Sequence, residues 1–335
     1  MSISRRQFIA KSAIVGLGSA AFATSKAASS KVTLKLTYPD VRSHPFYEVG
    51  QHFADAVREK TAGAVDIRIF TLGELGSGVN ILTGLQTGTI DLCAHTTGFI
   101  GRVLPQVQGL DLPFLFDDVS IGDKVVDGPV GSKLLGLLKP KRIYGLSWGT
   151  WAPRVTETVS KPVTEPSAMK GLRIRVQPGA IYEETFKVLG AIPVAMELTE
   201  VYLGLSQKTI DATEVPMISV AAGKNYEVLK SVTKTDHTYN AGIMMASQSR
   251  FDRLKPAYQD AIRTAAVELT PYWRSLIKKR SEEAEVFLKG KGLSIHDADK
   301  AAYKKAVEPV YKEFRNKITP EFYDELMAAV SAARA

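Results

Sequence analysis

A chain of 335 residues, 45% hydrophobic and 23% charged, has ordinary globular composition, which excludes a disordered or fibrous polymer and implies two domains or one large one. The formal charge of +8 is no nucleic-acid signature, because Arg5, Arg6, Lys11 and Lys26 stand in an opening segment without acids and removing them leaves +4. Elsewhere charges of both signs are interleaved, as in Lys278-Lys279-Arg280-Ser281-Glu282-Glu283, so no basic stripe exists to follow a phosphate backbone, and no nucleic acid is expected as a partner.

Residues 1–28 read as an export signal: a basic start, an apolar run from Ala13 to Ala23, and small residues at Ala27-Ala28. The start, Ser4-Arg5-Arg6-Gln7-Phe8-Ile9-Ala10-Lys11, resembles the twin-arginine (Tat) signal, in which an arginine pair precedes an apolar step and a lysine. A membrane span needs about 20 unbroken apolar residues. This run is shorter and rich in Gly and Ser, so the mature chain is expected in a bacterial periplasm without membrane insertion.

Val32 to Thr37 alternates as a half-buried strand does, and Phe46 to Lys60 places Phe46, Val49, Phe53, Ala56 and Val57 on one helical face. A strand at Val65 to Phe70, a helix at Val79 to Gln86 and a strand at Gly88 to Ala94 follow. This order predicts an α/β domain with crossover connections over residues 29–150, left through a strand at Ile143 to Trp151. Leu110 to Phe116 lies between helical patterns.

Residues 151–250 alternate in the same way, through strand Leu172 to Val176, helix Tyr182 to Leu189, the segment Pro193 to Met196, helix Glu200 to Gln207 and strand Ile210 to Glu214. Two α/β domains imply a cleft between them, the usual seat of a ligand. Residues 251–335 read as helices, Pro256 to Leu288, Ala298 to Phe314 and Pro320 to Ala333, expected to span and pack on both domains, with Pro271 placed to kink or divide the first.

Enzyme signals are scarce. No Gly-x-Ser-x-Gly elbow, His-Glu-x-x-His helix, Walker loop or Gly-x-Gly-x-x-Gly fingerprint is expected. His44, His52, His95, His237 and His296 lack a paired helical spacing, and the single Cys93 reads as a small buried thiol, so neither a metal nor another cofactor is expected. Glu183-Glu184 and Glu282-Glu283 are helical neighbours whose side chains diverge by about 100°, which makes no acid/base couple. His44 and His95 lie near strand ends or loops suited to facing a cleft.

The informative run is Gly171-Leu172-Arg173-Ile174-Arg175-Val176-Gln177-Pro178, where alternation puts Arg173 and Arg175 on one face of a strand. A guanidinium fork matches a carboxylate with two parallel hydrogen bonds, which are strong in a water-poor cleft. The competing explanation is an edge strand carrying two solvated arginines.

Further landmarks surround that run: Glu59-Lys60-Thr61-Ala62-Gly63, Gly73-Glu74-Leu75-Gly76, Gly88-Thr89-Ile90-Asp91, Leu110-Asp111-Leu112-Pro113-Phe114-Leu115-Phe116, Leu189-Gly190-Ala191-Ile192-Pro193, Thr199-Glu200-Val201-Tyr202 and Ile210-Asp211-Ala212-Thr213-Glu214. In this order and spacing the mature chain resembles the TRAP-type solute receptors, the DctP-like family that delivers organic acids to a membrane permease. The resemblance implies a periplasmic-binding-protein-like fold, two α/β domains around a ligand cleft joined by crossing strands and a long helix, that binds and performs no chemistry. It also implies that Arg175 pairs with the ligand carboxylate, that Arg154 in Trp151-Ala152-Pro153-Arg154 assists, and that Glu214 either orients a clamp arginine, the preferred role, or helps hold a bridging cation.

Two positions depart from the family pattern. Val215 stands in Asp211-Ala212-Thr213-Glu214-Val215-Pro216 where many acid-sugar receptors carry asparagine, and Leu198 stands where an aromatic is common. Losing the amide leaves hydroxyls or a second carboxylate unpaired, while Trp148 and Trp151 either cover an apolar or aromatic tail or pack the hinge strands. With Thr96 and His44 completing the expected ligand-binding set, the ligand is expected to be a monocarboxylate such as a 2-oxo, 2-hydroxy or aromatic acid, ahead of a uronate, an aldonate or a C4-dicarboxylate. An exported hydrolase or lyase is the rival class, and the sequence offers it no nucleophile with a partnered base at readable spacing.

Overall fold

The computed structural model describes residues 31–335, and the export signal read at residues 1–28 lies outside the described residues. Two mixed sheets organise the chain. The strands in order are β1 (Val32–Thr37), β2 (Val65–Phe70), β3 (Leu92–Thr96), β4 (Ile143–Thr150), β5 (Arg154–Thr158), β6 (Arg173–Val176), β7 (Ile192–Ala195), β8 (Ala212–Val215), β9 (Ser231–Thr238), β10 (Ala241–Ser247) and β11 (Ser294–Asp297). The first sheet runs β2-β1-β3-β10-β4 and the second β11-β9-β5-β8-β6-β7.

In the first sheet β2, β1 and β3 are parallel, as the alternation of strands and helices predicts, and β10 lies antiparallel between β3 and β4. Leu34 and Leu36 of β1 bury against Phe46, Val49, Phe53 and Val57 of the helix Phe46–Lys60. In the second, β6 and β8 are parallel while β5 runs against both β8 and β9. The strand expected from Gly88 begins at Leu92, because Gly88 at φ +87 closes the preceding helix in the left-handed region.

The chain passes between the sheets twice, side by side, at Trp151-Ala152-Pro153 and at Tyr239-Asn240. The Trp151 amide donates to the Asn240 carbonyl at 3.1 Å and Asn240 Nδ2 donates to the Ala152 carbonyl at 2.9 Å. Ala152 (φ +72) and Asn240 (φ +62) make the bends in the left-handed region, which asparagine tolerates and which is strained for alanine by about 1 kcal/mol. β10, inside the segment 151–250, therefore pairs in the sheet otherwise built from residues 32–150.

The long helix Pro256–Gly290 spans both halves: Ile262, Leu269, Trp273 and Ile277 join the core under the first sheet, and Leu288 joins Val155 and Val232 under the second. Trp273 lies flat on the crossing strands because residues 149 and 242 are glycines, where an added Cβ would stand 2.2 Å and 2.8 Å from the indole. Pro271 does not divide the helix: the carbonyl it deprives of a donor belongs to Val267, a residue on the solvent face. The stretch Ala298 to Phe314 is instead two helices, Lys300–Ala306 and Glu308–Lys317, separated at Val307, with Pro309 tolerated only in the first turn of the second.

Candidate ligand-binding site

A cleft opens where the carboxyl ends of β1, β3, β6 and β8 converge on the first crossing segment, the position at which α/β sheets usually hold ligands. Of the sequence-predicted residues, Arg175, Arg154, Val215, Leu198, Trp151 and Thr96 line it. Glu214 and His44 do not reach the wall; each stands directly behind a residue that does. Trp148, on β4, is buried in the core and is not part of the wall.

Arg175 is 3% exposed. Its Nε donates to the Met196 carbonyl at 2.9 Å, which fixes the side chain, and its terminal nitrogens have no hydrogen-bond acceptor or acid partner among the described residues. Burial pushes its pKa down to about 10 against the pull of Glu214. Arg173, on the same strand, is instead half-exposed and paired with Asp211, Nη2 to Oδ1 at 2.6 Å.

Arg154 is spoken for from within. Glu214 receives its Nε on Oε2 and its Nη2 on Oε1 at 2.7 Å, and the Gln177 amide donates to the same Oε1 at 2.9 Å. Burial alone would raise the Glu214 carboxyl, but Arg154 and the neighbouring His237 outweigh it and hold it at about 2. Both Glu214 oxygens are thus engaged by the Arg154 guanidinium and the Gln177 amide. Glu157, buried beside Glu214, is pushed well above the usual carboxylate range by that burial and by the neighbouring charge.

The wall also contains polar groups that the sequence did not single out. Gln177 Nε2 donates to Thr96 Oγ1 across the cleft at 3.0 Å, and Ser219 Oγ donates to Asp40 Oδ2 at 2.9 Å. Proximity to the Arg-x-Arg strand was a usable signal for Gln177. His95 faces the cleft with its ring stacked on Phe99 at 3.8 Å, and burial lowers its pKa to about 3. Trp151 serves the hinge as well as the wall, stacking on Phe46 at 4.8 Å.

One enzyme-like spacing does occur, Gly145-Leu146-Ser147-Trp148-Gly149, which matches the Gly-x-Ser-x-Gly pattern of hydrolase elbows. It lies within β4, with Ser147 buried and paired across to Met244, and not at the exposed strand-to-helix turn such a nucleophile requires.

Residues 40–317 match the bacterial extracellular solute-binding proteins, family 7, known as DctP. The 2,3-diketo-L-gulonate-binding periplasmic protein YiaO of Escherichia coli is 31% identical over 93% of this chain and 94% of its own length. The C4-dicarboxylate-binding periplasmic protein DctP of Rhodobacter capsulatus is 27% identical over 96% of this chain and 97% of its own. Among solved structures, a TRAP periplasmic solute binding protein from Polaromonas bound to D-erythronate superposes with a TM-score of 0.86, at 27% identity, over 91% of this chain and all of that one. These relatives are receptors and not enzymes, their two-domain fold is the one described above, and no described helix is long and apolar enough to cross a membrane. The chain belongs to the DctP family of periplasmic solute-binding proteins, the receptors of TRAP transporters.

Proposed function

We propose that this receptor captures a hydroxylated monocarboxylic acid of the sugar-acid type, holding its carboxylate on Arg175, and presents it to the membrane subunits of a TRAP permease. The observation that carries the reading is Arg175 itself. A buried guanidinium on the cleft wall whose terminal nitrogens meet no protein acid is a site prepared for an external carboxylate.

The ligand class departs from the sequence expectation of a sparsely hydroxylated 2-oxo, 2-hydroxy or aromatic acid. That expectation weighed Val215 and Leu198, which do line the cleft, but the same wall carries Asp40, Thr96, Gln177 and Ser219. Those groups offer a ligand polar partners in place of the asparagine missing at position 215. The relatives named for 2,3-diketo-L-gulonate and D-erythronate point the same way.

Mass spectrometry of small molecules released from denatured, purified protein tests the proposal together with a thermal-shift panel. Aldonates and uronates should raise the unfolding temperature. A panel in which only 2-oxo or aromatic acids do so would overturn the sugar-acid reading. Delivery is tested by uptake into vesicles containing the partner permease, which should require this protein.

A further inference from the structure

Asp40 is 3% exposed, lies on the cleft wall, and is fixed in place by partners near and far along the chain. Its Oδ1 accepts from the Val41 amide at 3.0 Å, its Oδ2 accepts from Ser219 Oγ at 2.9 Å, and His44 Nε2 lies 3.5 Å from the same oxygen. His44 is buried, and its Nδ1 accepts from the Phe46 amide at 3.1 Å, so its proton sits on Nε2 and points toward Asp40. Two hydrogen bonds thus orient the carboxyl, with the His44 ring beside it, and each oxygen, which accepts one of them, keeps a second lone pair. Glu197, the other carboxylate on the wall, is only partly buried and caps the helix Leu198–Ser206.

Resting on the sugar-acid reading above, we infer that Asp40 is a specificity-determining residue: it accepts a hydrogen bond from a ligand hydroxyl while Arg175 holds the ligand carboxylate, and it repels ligands that bring a second carboxylate to that place. Burial raises the Asp40 carboxyl on balance, and the His44 ring, the Ser219 and Val41 hydrogen bonds and, least, the charge of Arg175 work against that rise and favour the ionised form. A hydroxyl fills the remaining acceptor site without loss, a methylene leaves it unpaired, and a second anion meets a buried anion. The pair therefore reads both ends of one short molecule, an acid at one and an alcohol at the other.

Calorimetric titration of the purified full mature chain tests the assignment. The probes are D-gluconate, D-galactonate and D-erythronate, each with its deoxy counterpart (hexanoate or butyrate) and its dicarboxylic counterpart (D-glucarate, galactarate or tartrate). Wild type should bind the best aldonate at least about 100-fold more tightly than either counterpart. Asp40→Ala should lower aldonate affinity at least about 10-fold and bind the deoxy acid no more weakly than wild type, and Asp40→Asn should raise affinity for the dicarboxylic acid by a similar factor. Ser219→Ala, which removes a support but not the acceptor, should shift the aldonate-to-deoxy ratio in the same direction as Asp40→Ala and by less. If both Asp40 variants keep the wild-type ratios, or weaken every acid equally, the assignment is overturned while the sugar-acid reading stands. If wild type binds none of the aldonates, both fall.

Discussion

Glu214 takes up Arg154 with both of its carboxylate oxygens, Nη2 to Oε1 at 2.7 Å, and neither side chain is more than 3% exposed. This pair holds one buried cleft arginine with a protein charge, leaving Arg175 as the buried one without. Removing one partner of a buried pair leaves the other uncompensated, which costs about 3 to 5 kcal/mol. Glu214→Ala should therefore lose about that much stability in urea denaturation, and a loss below about 1 kcal/mol would show that water reaches Arg154.

Arg175→Ala should behave in the opposite way. The ligand-free protein carries the desolvation of this cation without return, so the variant should unfold at the wild-type temperature or above it. Its affinity for the best sugar acid should fall at least about 100-fold, equivalent to about 3 kcal/mol, since the ligand carboxylate then loses the one buried guanidinium not already paired with a protein acid. Calorimetry and differential scanning measurements on the same preparation separate the two effects, and a variant that binds normally would remove Arg175 as the clamp.

Asp111 gives stability a pH dependence that runs against Glu214. Burial raises its carboxyl from 3.8 to about 7, although Thr97 Oγ1 donates to Oδ1 at 2.7 Å and Arg154 lies near. Between those values the unfolded chain ionises this group and the folded chain does not, so the fold loses stability as pH rises through that window. Glu214 is depressed from 4.5 to about 2, so its contribution is complete above pH 4.5 and is lost as pH falls through about 2. Asp111→Asn should flatten the decline above pH 4, leaving the variant more stable than wild type at pH 8 by on the order of 2 kcal/mol and little different at pH 4. Urea midpoints at the two pH values provide the check, and equal differences at both would exclude Asp111 as the source.

What was readable in the sequence is what depends on short-range spacing. The period of two put both arginines of β6 on one face, and the parallel strands of the first sheet followed from alternation with helices. The same spacing could not show that Arg173 meets Asp211 while Arg175 meets no acid, because that depends on the pairing of β6 with β8. The crossing strands β5, β9 and β10 went unread for a related reason. Arg154-Val155-Thr156-Glu157-Thr158 is buried at every position, so its polar residues alternate with nothing. Asp40 reads locally as part of a Tyr-Pro-Asp turn, and its burial rests on Ser219, 179 positions away. The helix Val119–Asp127 went unread although it carries a local signal, Asp118, whose side chain accepts from the Ser120 and Ile121 amides as an N-cap.

Arg102 stands on the cleft wall in an exposed position and has no acid partner among the described residues. It differs from Arg175 in exposure, and therefore in the quantity it should control. A solvated charge contributes little to a bound state, yet its field extends over a Debye length of about 10 Å at 0.1 M salt and draws anions toward the opening. Arg102→Ala should lower the association rate of a sugar acid about two- to five-fold at low ionic strength while leaving dissociation unchanged, and the difference should vanish near 1 M salt. Stopped-flow fluorescence can follow binding through Trp151, which lines the same cleft. A faster dissociation that persists in high salt would mean that Arg102 touches the bound ligand, extending the contact set to the mouth of the cleft.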